Sequence, residues 1–254
     1  MRIKLAVAIV GLLLSAACQA VSPTGRSQLM FVSPSQELQL GEQAYREILE
    51  KNRLSTRSDW QAQVRRVGQR LAAVADQPDY KWEFNVLQGK DVNAFALPGG
   101  KVAFSEGIMP IARDDEGVAV IMGHEIAHAI ARHGAERMSQ QMGAQTIGQI
   151  LALGIGSVSP GLHDGFLTAY GLGATVGFLM PWGRAQESEA DRIGLILMAK
   201  AGYDPAAALS LWERMSKVAG DKPPEFLSTH PSDRTRMAQI KAWLPEARSH
   251  YRPR

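Results

Sequence analysis

The spacing of apolar residues divides the chain into a series of helices around one short stretch of strand-like alternation. Trp60, Val64, Val67 and Leu71 recur at three- and four-residue intervals and predict a helix over residues 59–75. An earlier helix is predicted over 36–51. The texture changes at residue 81: KWEFNVL alternates polar and apolar residues and reads as a strand. VNAFAL and KVAFS follow, parted by the turn signal PGG, so a small antiparallel sheet is expected. Asp114 and Asp115 suit a helix N-terminus, as side-chain acceptors and as negative charges. The helix they open is predicted to run to about residue 141. ESEADRIGLILMAKAG reads as a helix ending at Gly202, a C′ glycine. Asp204 and Pro205 begin another, through about residue 218. PPEFLSTHP reads as a loop, and Ser232 or Asp233 begins a last helix ending near Trp243, before Pro245. There is no internal repeat. The pattern implies an α+β, mainly helical fold.

Two segments fall outside this rhythm. Residues 142–183 are apolar, Gly-rich and almost uncharged, but Gly and Pro interrupt them too often for a membrane span. They read as apolar helices on the core, as a mobile lid, or as a surface that touches lipid. At the start, Arg2 and Lys4 precede an apolar run over residues 5–14 and then small residues, which is the pattern of an export signal. It ends at Cys18, the single cysteine of the chain. SAAC resembles a bacterial lipobox, although Ser15 stands where Leu is usual. This predicts a signal peptide over 1–17, lipidation of Cys18, and a flexible tether over 18–36 rich in Ser, Pro, Gly and Gln. One domain would occupy 37–245, with a short tail over 246–254. The expected location is the periplasmic face of a Gram-negative outer membrane, reached through that lipid anchor.

Composition adds little. With 254 residues, 45% apolar and 21% charged, the chain is an ordinary globular length and mixture. The net charge of +3 falls to +1 without the two leader cations. No basic stripe with interleaved aromatics is present, so nucleic acid is not an expected partner.

The chemistry lies in GHEIAHAIARHG. His124 and His128 stand at i and i+4 with Glu125 after the first, so both imidazoles can share a face and one metal ion. The neighbours Val118, Val120, Ile121, Ile126 and Ile130 make this a buried helix, where a charged Glu125 needs a reason. Catalytic zinc takes three protein ligands and keeps a position for water. His133 is one residue too early to continue a three-histidine pattern, and is expected as a surface or supporting residue. QESEAD offers Glu187 and Asp191 at i and i+4. Glu187 can then close the ligand set while Asp191 accepts a hydrogen bond from the free ring nitrogen of a ligand histidine. Glu189 points elsewhere and reads as a solvated charge.

Together, GHEIAHAIARHG, QESEADRIGL, NAFALPGGKV and THPSDRTR resemble the zinc metallopeptidases that include the CAAX prenyl protease and the heat-shock membrane protease. Among these, the chain looks like soluble periplasmic lipoprotein members acting in outer-membrane protein quality control. The resemblance covers roughly residues 40–245. It implies a gluzincin-type helical core with a small sheet, one zinc ion per chain, and Glu187 as third ligand. It also places THPSDRTR near the metal. His230 and Arg236 are then candidate donors to the oxyanion of a peptide under attack. For His230, a fourth-ligand position in a latent state and a plain helix-opening role stay open beside that. Glu125 is the expected general base. If residues 92–97 form an exposed sheet edge, Asn93, Ala94, Phe95 and Ala96 can hold an extended substrate by backbone hydrogen bonds; a covered hairpin is the other reading. The expected activity is endopeptidase cleavage of unfolded or misassembled envelope proteins. A chaperone or assembly factor with latent proteolysis, and an exopeptidase, are the rivals.

Overall fold

The computed structural model describes residues 19–158, 167–171, 180–218, 226, 228, 230 and 234–253. The signal peptide, Cys18 and much of the Gly-rich segment, including His163, lie outside the described residues. The chain divides into two compact units, one of Met1–Pro34 with His133–Ala185 and the other of Ser35–Arg132 with Gln186–Arg254. A single domain over 37–245 was expected.

In the second unit, helix α1 (Pro34–Lys51) and helix α2 (Ser58–Ala72) precede strands β3 (Glu83–Leu87), β4 (Ala94–Leu97) and β5 (Lys101–Ser105). Short helix α3 (Met109–Ala112) leads to α4 (Asp115–Ile130), which carries the paired histidines. Later come α6 (Met180–Lys200), which begins in the other unit, then α7 (Ala207–Val218) and α8 (Arg234–Ser249). The α2 stripe is as read: Val64, Val67 and Leu71 are fully buried. Gly68 lies against the Phe84 ring, where any Cβ would stand 2.3 Å from it, so α2 rests directly on β3.

The sheet differs from expectation. Its order is β3-β5-β4, with β5 antiparallel to β4 but parallel to β3. The turn at residues 98–100 makes the β4–β5 hairpin. Instead of β4 pairing beside β3, β5 inserts between them, and the loop of residues 88–93 makes that crossing possible. β4 is therefore an edge strand. Its partner bond Ser105 N–H to the Asn93 carbonyl (2.9 Å) fixes the alternation. The backbone groups of Phe95 then face β5, while those of Ala94 and Ala96 face away from it.

The long helix expected over 114–141 is two helices. Asp114 caps α4, its side chain accepting from Gly117 N–H at 2.8 Å. α4 stops at Ile130, Arg132 takes a left-handed conformation (φ 57°), and the next helix starts at His133. The Arg132 guanidinium is held by the buried Glu37 carboxylate at 2.6 Å, which fixes the break. Of two further helix ends, one is as read and one departs from the sequence reading. α6 does end at Gly202 as expected (φ 86°), with Tyr203 N–H on the Met198 carbonyl and Gly202 N–H on Ala199, a Schellman closure. α8 instead runs through Pro245 to Ser249 and takes in part of the expected tail.

In the first unit, residues expected as a loose tether form a hairpin of β1 (Gln19–Val21) and β2 (Ser27–Leu29). Arg26 makes two bonds, of 2.6 and 2.7 Å, to the fully buried Glu136 of α5 (His133–Val158), and Gln28 adds a third. Phe31 N–H donates to Ser139 at 2.8 Å. No described helix is long and apolar enough to cross a membrane.

Candidate metal centre

α4 is buried on nearly every side, from Gly117 to Ala129. A helix of this kind presents His124 and His128 one turn apart, and their Nε2 atoms stand 3.1 Å apart. α6 crosses α4 at two glycines. A Cβ on Gly194 would lie 2.9 Å from the backbone of Gly123 and His124. The crossing at bare backbone lets the acidic face of α6 reach the histidines. Glu187 Oε2 is 3.2 Å from His124 Nε2, and Oε1 is 3.3 Å from His128 Nε2. His230 is held by its own backbone N–H on Phe226, whose N–H bonds the Val92 carbonyl just before β4. Its Nδ1 lies 3.2 Å from His124 Nε2 and 3.0 and 3.1 Å from the Glu187 oxygens.

These four atoms fit a metal. All lie within 4.8 Å of one another and all four residues are buried. A tetrahedron with metal–ligand bonds of about 2.0–2.1 Å has edges of about 3.3–3.4 Å, and the three separations from His124 Nε2, 3.1 to 3.2 Å, are close to this. His124 Nδ1 bonds Asp191 Oδ1 at 2.9 Å, so its Nε2 turns a lone pair inward. Lone pairs that converge in a buried space need a cation or protons between them.

The electrostatics agree. Burial pushes the His124 imidazole down, but hydrogen bonds to Asp191 and Glu187 outweigh it and carry its pKa up to about 9. Burial would raise the Glu187 carboxyl, yet bonds from His124, His128 and His230 hold it far below the usual carboxylate range. Asp191 is likewise held down, against burial, chiefly by the charge of Arg236. Glu125 is buried beside the set but outside it, with Oε1 3.4 Å from His230 Nε2.

Arg236 is placed differently from the sequence reading. Its guanidinium grips Asp191 through Nε (2.7 Å) and a terminal nitrogen (2.7 Å), and bonds the His230 carbonyl at 3.3 Å. Its terminal nitrogens also lie 3.4 Å from His124 Nε2 and 3.7 Å from Glu187 Oε2, so it abuts the ligand set itself. His133, expected as a surface or supporting residue and not a ligand, is fully buried in the first unit and is not part of the four-atom group; Glu189, read as solvated, is buried too. Asn93 closes the hairpin end: Asn93 N–H donates to Ser105 Oγ, and Asn93 Oδ1 accepts from Ala94 N–H. Sequence reasoning passed over Trp212, which packs 6.3 Å from the His124 ring. Its only signal was membership of the apolar stripe Ala208, Leu211, Met215.

A mainly helical core with a small mixed sheet, built around two histidines of one helix and a glutamate of another, defines a metallohydrolase of the gluzincin type. Residues 58–244 match Peptidase family M48, and the chain belongs to that family of zinc metallopeptidases. It is similar to the mitochondrial metalloendopeptidase OMA1 of Schizosaccharomyces pombe, 38% identical over 230 residues, covering 88% of this chain and 66% of the relative. The human mitochondrial metalloendopeptidase OMA1 is 32% identical, covering 89% and 46% respectively. The beta-barrel assembly-enhancing protease of Escherichia coli K12 is 28% identical, covering 85% and 45%. The chain thus spans between about half and two thirds of these relatives' length. Mitochondrial proteins among the relatives, at higher identity than the bacterial one, overturn the expected location at a Gram-negative outer membrane.

Proposed function

We propose that this chain is a zinc-dependent endopeptidase that cuts extended segments of unfolded or misassembled membrane proteins. The observation that supports it most is the buried, convergent set of His124 Nε2, His128 Nε2, Glu187 and His230 Nδ1 with Glu125 alongside. When bound there, zinc supplies an electrophile and brings the pKa of a water to about 7. Glu125, buried beside the set, would accept a proton from the attacking water and pass it to the leaving amine. Asp191 keeps the His124 proton on Nδ1 and its lone pair on Nε2. We assign His230 to the same set: it would help hold the ion through Nδ1, and released from it its ring would donate to the carbonyl oxygen of a bound peptide. The outward carbonyl of Ala94 and both backbone groups of Ala96 accept an incoming strand. Such pairing reads backbone rather than side chains and suits unfolded polypeptide. The similarity to the beta-barrel assembly-enhancing protease of Escherichia coli supports misassembled membrane proteins as substrates.

The experiment compares wild type with Glu125→Gln on an unfolded protein substrate. Wild type with one zinc per chain cuts it internally, and Glu125→Gln retains zinc but loses about 10²–10⁴-fold in rate. If neither cuts and both suppress aggregation of the substrate, the protein is a chaperone and the reading is overturned. Release of terminal residues alone would make it an exopeptidase.

A further inference from the structure

Behind the candidate ligands runs a chain of contacts through four helices. His124 on α4 gives its Nδ1–H to Asp191 on α6 at 2.9 Å. Asp191 receives two bonds from Arg236 on α8, both 2.7 Å. Arg236 in turn lies over the indole of Trp212 on α7, its guanidinium carbon 3.6 Å from the ring centroid. All four side chains are buried.

The order of these contacts matters. Asp191 Oδ1 serves two donors, His124 Nδ1 and the Arg236 terminal nitrogen. Its direction is therefore set by where the guanidinium sits. Polar contacts hold that guanidinium along its edge, to Asp191 and the His230 carbonyl, with the His124 ring at 3.3 Å and a Glu187 oxygen at 3.7 Å. Its faces carry no N–H, so edge bonds leave it able to rock out of plane. A π face beneath it removes that motion, and a buried guanidinium on Trp is the strongest of the aromatic pairings. The same ring packs edge-on toward His124 at 6.3 Å, so it also limits where the imidazole can tilt.

We propose that Trp212 is a positioning residue for the metal centre: through the face of its indole it orients Arg236, and through Arg236 and Asp191 it fixes the ring of His124. The inference rests on the zinc site proposed above. A leucine would keep the position apolar but, being smaller, would remove the π face beneath the guanidinium together with part of the packing. The contribution proposed for Trp212 is that of the electron-rich face of its ring, which fluorination alters with little change in volume.

The test replaces Trp212 alone, by site-specific incorporation, with mono-, di- and trifluorotryptophan. Each fluorine weakens cation binding by the ring with little change in shape. Zinc affinity is measured by competition with a chromophoric chelator, and the thermal midpoint of the zinc-free protein is measured alongside. The expected result is a graded rise in the zinc dissociation constant with fluorination, reaching about three- to thirtyfold for the last member, the range a desolvated cation–π contact spans. Trp212→Phe falls within the series and Trp212→Leu at or beyond its end. A zinc affinity that stays flat across the fluorinated series overturns the proposal, whether or not the midpoint of the zinc-free protein moves, since Trp212 is then a packing residue only. Should the unsubstituted protein bind no zinc, it is the metal-site reading that has failed, and the two failures are told apart by that first measurement.

Discussion

Tyr80 shows how one side chain secures the metal-bearing helix from outside the site. Its hydroxyl donates to the Ala129 carbonyl at 3.2 Å, near the end of α4. Burial first, and the charge of Glu37 second, push its pKa from 10.0 up to about 12. A neutral group whose pKa is raised on folding stabilises fully below its unfolded value and loses that contribution as pH rises through the folded one. Wild type should therefore lose stability relative to Tyr80→Phe between about pH 10 and 12, with parallel curves below. Denaturant unfolding across that interval, with phenolate absorbance as a site monitor, checks it. At this scale the sequence was most legible where helical periodicity alone decides proximity. His124 with His128, and Glu187 with Asp191, share faces because four residues make about one turn. Arg236 was legible as a participant but not in its direction. Its partner Asp191 lies 45 residues away on another helix, and no local rule says which side of the centre a long side chain approaches.

Between elements, the decisive feature is the crossing of α4 and α6 at Gly123 and Gly194. Glycine inside a helix normally costs about 1 kcal/mol relative to alanine. Here a methyl on Gly194 would meet backbone that cannot step aside, at 2.9 Å. Overpacking of about 1–3 kcal/mol outweighs the propensity gain. Gly194→Ala should lower stability and weaken zinc binding together, since it pushes Glu187 away from the histidines. Gly183→Ala on the same helix, where a methyl meets nothing within 4 Å, should raise stability slightly. Urea titrations of the two variants decide. The sequence showed each of these helices but not how they abut, because a close crossing depends on both partners. The same blindness hid the helix break at Arg132, where a buried carboxylate from α1 fixes a turn no residue nearby announces. It hid the parallel pairing of β3 with β5 as well. Strand alternation states which face is buried, not which neighbour is paired. Pro245 misled in the opposite way: a proline that ordinarily ends a helix lies within one here.

For the whole molecule, the centre draws its ligands from distant parts of the chain: His230 follows His124 by 106 residues and Glu187 by 43. Binding to such a set stabilises the folded state by mass action. Raising free zinc from near the dissociation constant to about a thousandfold above it should add about 4 kcal/mol. For a chain of this size that is roughly 10 °C in the thermal midpoint. Calorimetry in graded zinc buffers, with chelated protein as the baseline, measures it; a midpoint indifferent to zinc would contradict the proposed centre. Location was the least legible property. A basic start, an apolar run and a small-residue stretch describe many leaders alike, and the fold that follows carries no address.

The distance along the chain between His128 and its closing partners has a temporal consequence. A chain emerging from a ribosome, or threading through a pore, displays the paired imidazoles long before Glu187 and His230 arrive. Until α6 delivers Glu187 there is no third ligand to complete the ion's cage, and so no working blade. A hydrolase that would endanger its own unfinished neighbours is thereby kept harmless during its making, by the order in which its parts are supplied.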